Sequence, residues 1–135
     1  MPNRTFQKLR ERFSEQVQEC YTYRGDAIVV VDKKAIYDIC KFLRVDPELR
    51  YDLLVDLAGV DYLGREPRFE VVYHLHSLAD NKRIRIKAPV DERDPQIQTV
   101  SSLWAVANWF EREVWDMFGI RFKGHPDLRR ILMYD

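Results

Sequence analysis

The stretch FEVVYHLHSLADNKRIRIKA, residues 69–88, decides the fold. In its first half Phe69, Val71, Tyr73 and Leu75 alternate with Glu70, Val72, His74 and His76, the period of a half-buried strand. In its second half Ile84, Ile86 and Ala88 alternate with Arg83, Arg85 and Lys87. Asp80-Asn81 supplies a turn between the halves, so the pattern predicts a β-hairpin with Phe69, Val71, Tyr73 and Leu75 facing a core. Gly64 to Pro67 reads as a loop before it, and Pro89 and Pro95 bracket a polar, acidic loop after it.

Working outward, the period changes to that of helices. Phe6, Leu9, Phe13, Val17 and Cys20 recur at helical spacing among charged residues, which predicts an amphipathic helix over 4–20. Gly25-Asp26 turns the chain into Ala27–Val31, an apolar strand buried on both faces. Asp32 suits the N-cap of a second helix with an inner face of Ile36, Ile39, Cys40 and Leu43. Asp46-Pro47 then opens a third helix with a stripe of Leu49, Leu53, Leu54 and Leu57, ending at Gly59. A fourth is read from Val100, Leu103, Trp104, Val106, Ala107 and Phe110. The expected architecture is α+β: one domain over 1–135, with a small, largely antiparallel (mixed) sheet and helices packed on one face.

Composition limits the function. A chain of 135 residues reads as a single domain, able to bury roughly two-thirds of its unfolded surface. Its 22 basic and 22 acidic residues give no net field, which argues against nucleic acid as a partner. The longest apolar run, Ala27–Val31, is far short of the ~20 residues of a membrane span. No basic-then-apolar leader opens the chain, since residues 4–19 mix charge and apolar side chains throughout. Cys20 and Cys40 sit in helix-like patterns and read as reduced thiols rather than a disulfide. These features together predict a cytosolic or cytosol-facing protein.

Candidate chemistry is sparse. His74 and His76 share one face of a strand, but Cys20, Cys40 and His125 show no spacing that would complete a metal site, so two solvent-side histidines are the favoured reading. Glu111, Glu113 and Asp116 could form a carboxylate cluster for hydrolytic acid–base chemistry. Arg112, Arg121, Arg129 and Arg130 lie close in sequence, which favours ion pairs with lowered carboxyl pKa values instead. No phosphate-binding glycine loop, nucleophile elbow or C-x-x-C occurs. Residues 109–133, WFEREVWDMFGIRFKGHPDLRRILM, interleave aromatic rings with charge and are broken by Gly119, Gly124 and Pro126. That mixture suits an ordered, irregular surface that docks on another protein through aromatic and Arg anchors.

Several motifs there carry a family resemblance. Glu111-Arg112-Glu113, the turn Asp116-Met117-Phe118-Gly119, and Phe122 followed by Gly124-His125-Pro126-Asp127-Leu128-Arg129-Arg130-Ile131-Leu132 resemble the signature of the thirty-kilodalton subunit family of respiratory complex I, the proton-pumping NADH-quinone oxidoreductase. The likeness extends upstream through FEVVYHLHSL, Arg83 to Lys87 and LWAVANW, over roughly residues 55–133, whereas the first fifty residues agree mainly in pattern. It implies a structural, non-catalytic subunit that supports electron transfer from NADH to quinone in the peripheral arm, on the cytoplasmic face of the bacterial inner membrane. Flavin, clusters and quinone would belong to neighbouring subunits. The implied partners are the D-type subunit, which forms much of the quinone site, and the two-cluster ferredoxin-like subunit. In that family the chain usually continues past the Arg-Arg-Ile-Leu-Met segment into a further tail, whereas the sequence here stops at Asp135. Equivalent subunits of membrane-bound hydrogenases and ferredoxin-driven relatives are the alternative within the superfamily. A free-standing hydrolase using the carboxylates near Glu111, or a nucleic-acid module using Arg83, Arg85 and Lys87, is the alternative outside it.

Overall fold

The computed structural model describes residues 2–125. Its centre is the predicted hairpin: β4 (Phe69–Ser77) runs antiparallel to β5 (Lys82–Val90), in continuous register from Phe69 opposite Val90 to Ser77 opposite Lys82. Asn81 takes φ 50°, a left-handed turn position that Asn tolerates. On one side β3 (Leu53–Asp61) adds antiparallel to β4. On the other, β2 (Asp26–Val31) joins β5 in parallel, and β1 (Val17–Tyr23) closes that edge antiparallel to β2. The result is a mixed five-stranded sheet in the order β1-β2-β5-β4-β3, in an α+β fold. A second, two-stranded parallel sheet joins β6 (Gln96–Gln98) to β7 (Arg121–Lys123).

Alternation gives the large sheet two distinct faces. The register aligns Cys20, Val29, Ile86, Tyr73 and Leu57 on the inner one, and all but the half-buried Cys20 are buried. Helix α2 (Ile36–Val45) lays Ile36, Ile39, Cys40 and Leu43 on this core, as its spacing predicts. Each such aliphatic side chain contributes roughly 1.5–3 kcal/mol on burial. Asp32 does act as a cap, accepting from the Lys34 N–H at 2.9 Å, but of a 3₁₀ turn (Lys33–Ala35) that leads into α2. Helix α1 (Pro2–Arg12) is tied to the end of α2 by Lys8 Nζ on Asp46 Oδ2 at 2.8 Å and by Thr5 and Tyr51 hydroxyls 3.0 Å apart.

The N-terminal half departs from its sequence reading in two places. The helix expected over 4–20 ends at Arg12, and Val17 and Cys20 lie in β1. There Tyr21, Thr22 and Tyr23 favour a strand, and Arg24-Gly25, with φ 52° and 87°, make a two-residue hairpin turn to β2. The third helix expected from Pro47 to Gly59 is a single turn followed by β3. Asp46 accepts from Glu48, Leu49 and Arg50 N–H groups, and Arg50 then ends the turn at φ 48°. A bulge at Val55 explains the misleading pattern. It sets two core-facing residues, Leu54 and Leu57, three apart, a helical interval inside a strand.

The C-terminal half also differs. Residues 100–106 form consecutive turns, with Trp104 N–H on Val100 O at 3.2 Å, and the helix begins only at Ala107. Helix α3 (Ala107–Phe118) then runs through residues expected to be irregular. Pro89 lies inside β5 rather than opening a loop, beyond the point where β2 stops pairing with that strand. The strand β6 falls inside the stretch read as loop and helix approach.

Candidate docking site

Helix α3 distributes its side chains over three stripes. Ala107, Glu111 and Val114 are buried against the sheet, and Phe118 follows on the same side. Phe118 packs edge-on to Phe69, 6.1 Å between centroids. It also lies over Gly59, where an added Cβ would meet the Phe118 ring at 2.7 Å. That close approach, and not the end of a helix, is the reason for Gly59. Asn108, Arg112 and Trp115 form a flanking stripe. Asn108 Oδ1, Arg112 Nε and Trp115 Nε1 are enclosed without a hydrogen-bond partner among the described residues. Val106, Trp109, Glu113, Asp116 and Met117 face outward, with Trp109 56% and Met117 73% exposed.

The carboxylates separate accordingly. Glu111 is fully buried and accepts hydrogen bonds from the Thr99 hydroxyl and from Val100 N–H at 2.8 Å. The His125 ring, also buried, places Nε2 3.9 Å from Glu111 Oε1 and 3.1 Å from the Asn108 carbonyl. Burial outweighs the two hydrogen bonds and pushes the Glu111 carboxyl up to about 7. This reverses the lowered value expected of an acid beside arginines, because Thr99, Val100 and His125 surround it instead. Glu113 and Asp116 are exposed and form no ion pair among the described residues. Arg112 lies over the Trp109 ring, 5.6 Å from its centroid. Thr99, Val100 and Asn108 were invisible as functional positions, since nothing in their spacing announces a buried acid.

The rest of the signature divides between described and undescribed residues. Gly119 takes φ 74° as the left-handed cap of α3, its N–H on Trp115 O at 2.9 Å. Phe122 is buried in β7, and Gly124 takes φ 84° against Thr99. Pro126, Asp127, Leu128, Arg129 and Arg130 lie outside the described residues. His74 and His76 point to the outer face of the sheet, where burial and Arg85 lower the His74 pKa. Among the described residues no three His, Cys, Asp or Glu side chains gather as a metal site. Both thiols are free, and burial raises Cys40 well above the usual thiol range. No helix among the described residues is long and apolar enough to cross a membrane. Among the described residues the site presents an acidic and aromatic helix face.

Comparison with known proteins agrees with this architecture. The family described as "Respiratory-chain NADH dehydrogenase, 30 Kd subunit" matches residues 29–135. The C-type subunit of NADH-quinone oxidoreductase from Geotalea uraniireducens (strain Rf4) is 52% identical over 133 residues, covering 98% of this chain and 80% of its own length. Its counterpart from Roseiflexus castenholzii (strain DSM 13941 / HLO8) is 59% identical over 111 residues, covering 82% of this chain and 64% of its own. A trypsin-resistant fragment of Nqo5 (1–134) superposes with a TM-score of 0.82 at 34% identity, over 95% of this chain and all of that one. A chain of the membrane-bound sulfane sulfur reductase, an archaeal respiratory membrane complex, shares the fold at a TM-score of 0.75 and 24% identity, over 91% of this chain and 71% of that one. The chain belongs to the family of the 30-kDa subunit of respiratory-chain NADH dehydrogenase.

Proposed function

We propose that this chain is a structural subunit of NADH-quinone oxidoreductase that docks in the peripheral arm through the outer face of α3 and holds no redox group itself. Its neighbours there are the D-type subunit of the quinone site and the two-cluster ferredoxin-like subunit, on the cytoplasmic face of the membrane. The observation that carries the reading is the pairing of exposed Trp109 and Met117 with Glu113 and Asp116 on one rigid helix. Exposed aromatic and Met side chains characterise interface cores better than solvated helix faces, and acids such as these suit the polar rim around them. The isolated chain then turns over no substrate. Purifying a tagged chain from its native membranes tests this: NADH-quinone oxidoreductase subunits and their activity should come with it. Recovery with a hydrogenase instead, or of the chain alone, would overturn the reading.

A further inference from the structure

The outer face of the five-stranded sheet is a second surface that α3 does not use. The helices bury their apolar stripes on the inner face. On the outer face the register sets Tyr21, Ile28, Arg85, His74 and Asp56 in one row, with Arg83, His76 and Leu53 beside them. One wet face is ordinary for an antiparallel sheet. Three features go beyond that.

The central strand β5 presents Arg83, Arg85 and Lys87 in line on this face. Beside the first two lies a cavity of about 140 Å³, lined also by Asp26, His74 and Val55. Two guanidiniums there share one acid: Asp26 is 3.5 Å from Arg85 and 3.7 Å from Arg83. Both separations exceed those of a good charge-assisted hydrogen bond, about 2.7–2.9 Å. Arg85 Nε is enclosed with no acceptor among the described residues. The cavity therefore holds two guanidiniums against one carboxylate, an excess of one positive charge. On the β3 side its rim is apolar, because the bulge turns out Val55, 55% exposed, near the exposed Leu53.

We propose that this face seats an acidic side chain, flanked by apolar residues, from a neighbouring subunit, the carboxylate lying between Arg83 and Arg85. The proposal rests on the docking reading above and adds a second, separate contact to it. A carboxylate matches the planar donors of Arg85, and its apolar flank covers Val55. A polyanion fits less well, since Asp26, Asp56 and Glu70 stud the same face.

A photo-crosslinking residue, benzoylphenylalanine, placed at Val55 in the full chain within the membrane complex tests this, with Leu53 as a second probe position. After irradiation the joined peptide should come from another subunit and contain an Asp or Glu. Replacing that acid with Lys should cut the crosslink roughly tenfold or more, and pairing it with Arg85→Glu should restore it. Crosslinks only to this chain, lipid or nucleic acid, or no crosslink from either position, would overturn the proposal. So would insensitivity to the charge exchange. A probe at Trp109 separates the two readings. If Trp109 reaches a neighbour in the complex and Val55 does not, only this second contact falls; if the chain brings no other part of the complex with it, both fall.

Discussion

Glu111 and Glu113 stand two residues apart on α3, and their surroundings are opposite. Glu111 is sealed inside, bridging the Thr99–Val100 turn to the helix with His125 beside it. Glu113 lies outside with Asp116, between the exposed Trp109 and Met117. One face of the helix builds the fold, and the other, exposed to solvent, is the face proposed for docking. The lesson is that acids in one signature need not share a role. A buried acid ties chain segments together, whereas an exposed acid on a braced helix offers charge to something else.

The comparison breaks first at Glu111. Glu111→Ala should destabilise the domain by roughly 3–4 kcal/mol, because it strands the Val100 N–H, the Thr99 hydroxyl and the His125 ring around a cavity. Glu111→Gln keeps an acceptor in place and should cost only about 1 kcal/mol. Glu113→Ala should change stability by no more than about 0.5 kcal/mol. Urea unfolding of the three variants checks this, and equal losses at both positions would erase the distinction.

The pH dependence sharpens the same contrast. Glu111 titrates at about 7 when folded and near 4.5 when unfolded. Between those values unfolding releases a proton, so this group's contribution to stability is present at low pH and declines as pH rises toward 7. The decline amounts to at most roughly 3 kcal/mol. Asp46, held by Lys8, is lowered when folded and acts in the opposite sense at lower pH. The difference curve between the native chain and Glu111→Gln isolates the Glu111 effect, and a flat difference from pH 4.5 to 7 would contradict it.

A third test concerns Gly59. Gly59→Ala should cost about 2 kcal/mol by driving a Cβ into the Phe118 ring. Adding Phe118→Ala should recover part of the crowding term, so a double variant with strictly additive losses would argue against direct contact.

What the sequence disclosed depended on whether one period ran undisturbed. The β4–β5 hairpin and the α2 face kept clean periods and were legible residue by residue. β3 was not, because the Val55 bulge imitates helical spacing, and β1 was not, because its polar edge position hides its alternation. The family and the mixed α+β architecture were legible from the signature and the hairpin. Within the signature, the outward position of Glu113 and Asp116 and the inward turn of Glu111 were not, since they depend on where α3 starts. A sequence showing charge and rings intermixed along the chain does not reveal that a helix sorts them into stripes.

The central claim, that the outer face of α3 serves association rather than folding, is tested most directly by the double variant Trp109→Ser, Met117→Ser. Its unfolding free energy in isolation and its recovery in the membrane complex would be measured side by side. The expected result is a folding change within about 1 kcal/mol together with a large loss of assembled NADH-quinone activity. Normal assembly, or a folding loss large enough to account for the missing complex, would contradict the claim.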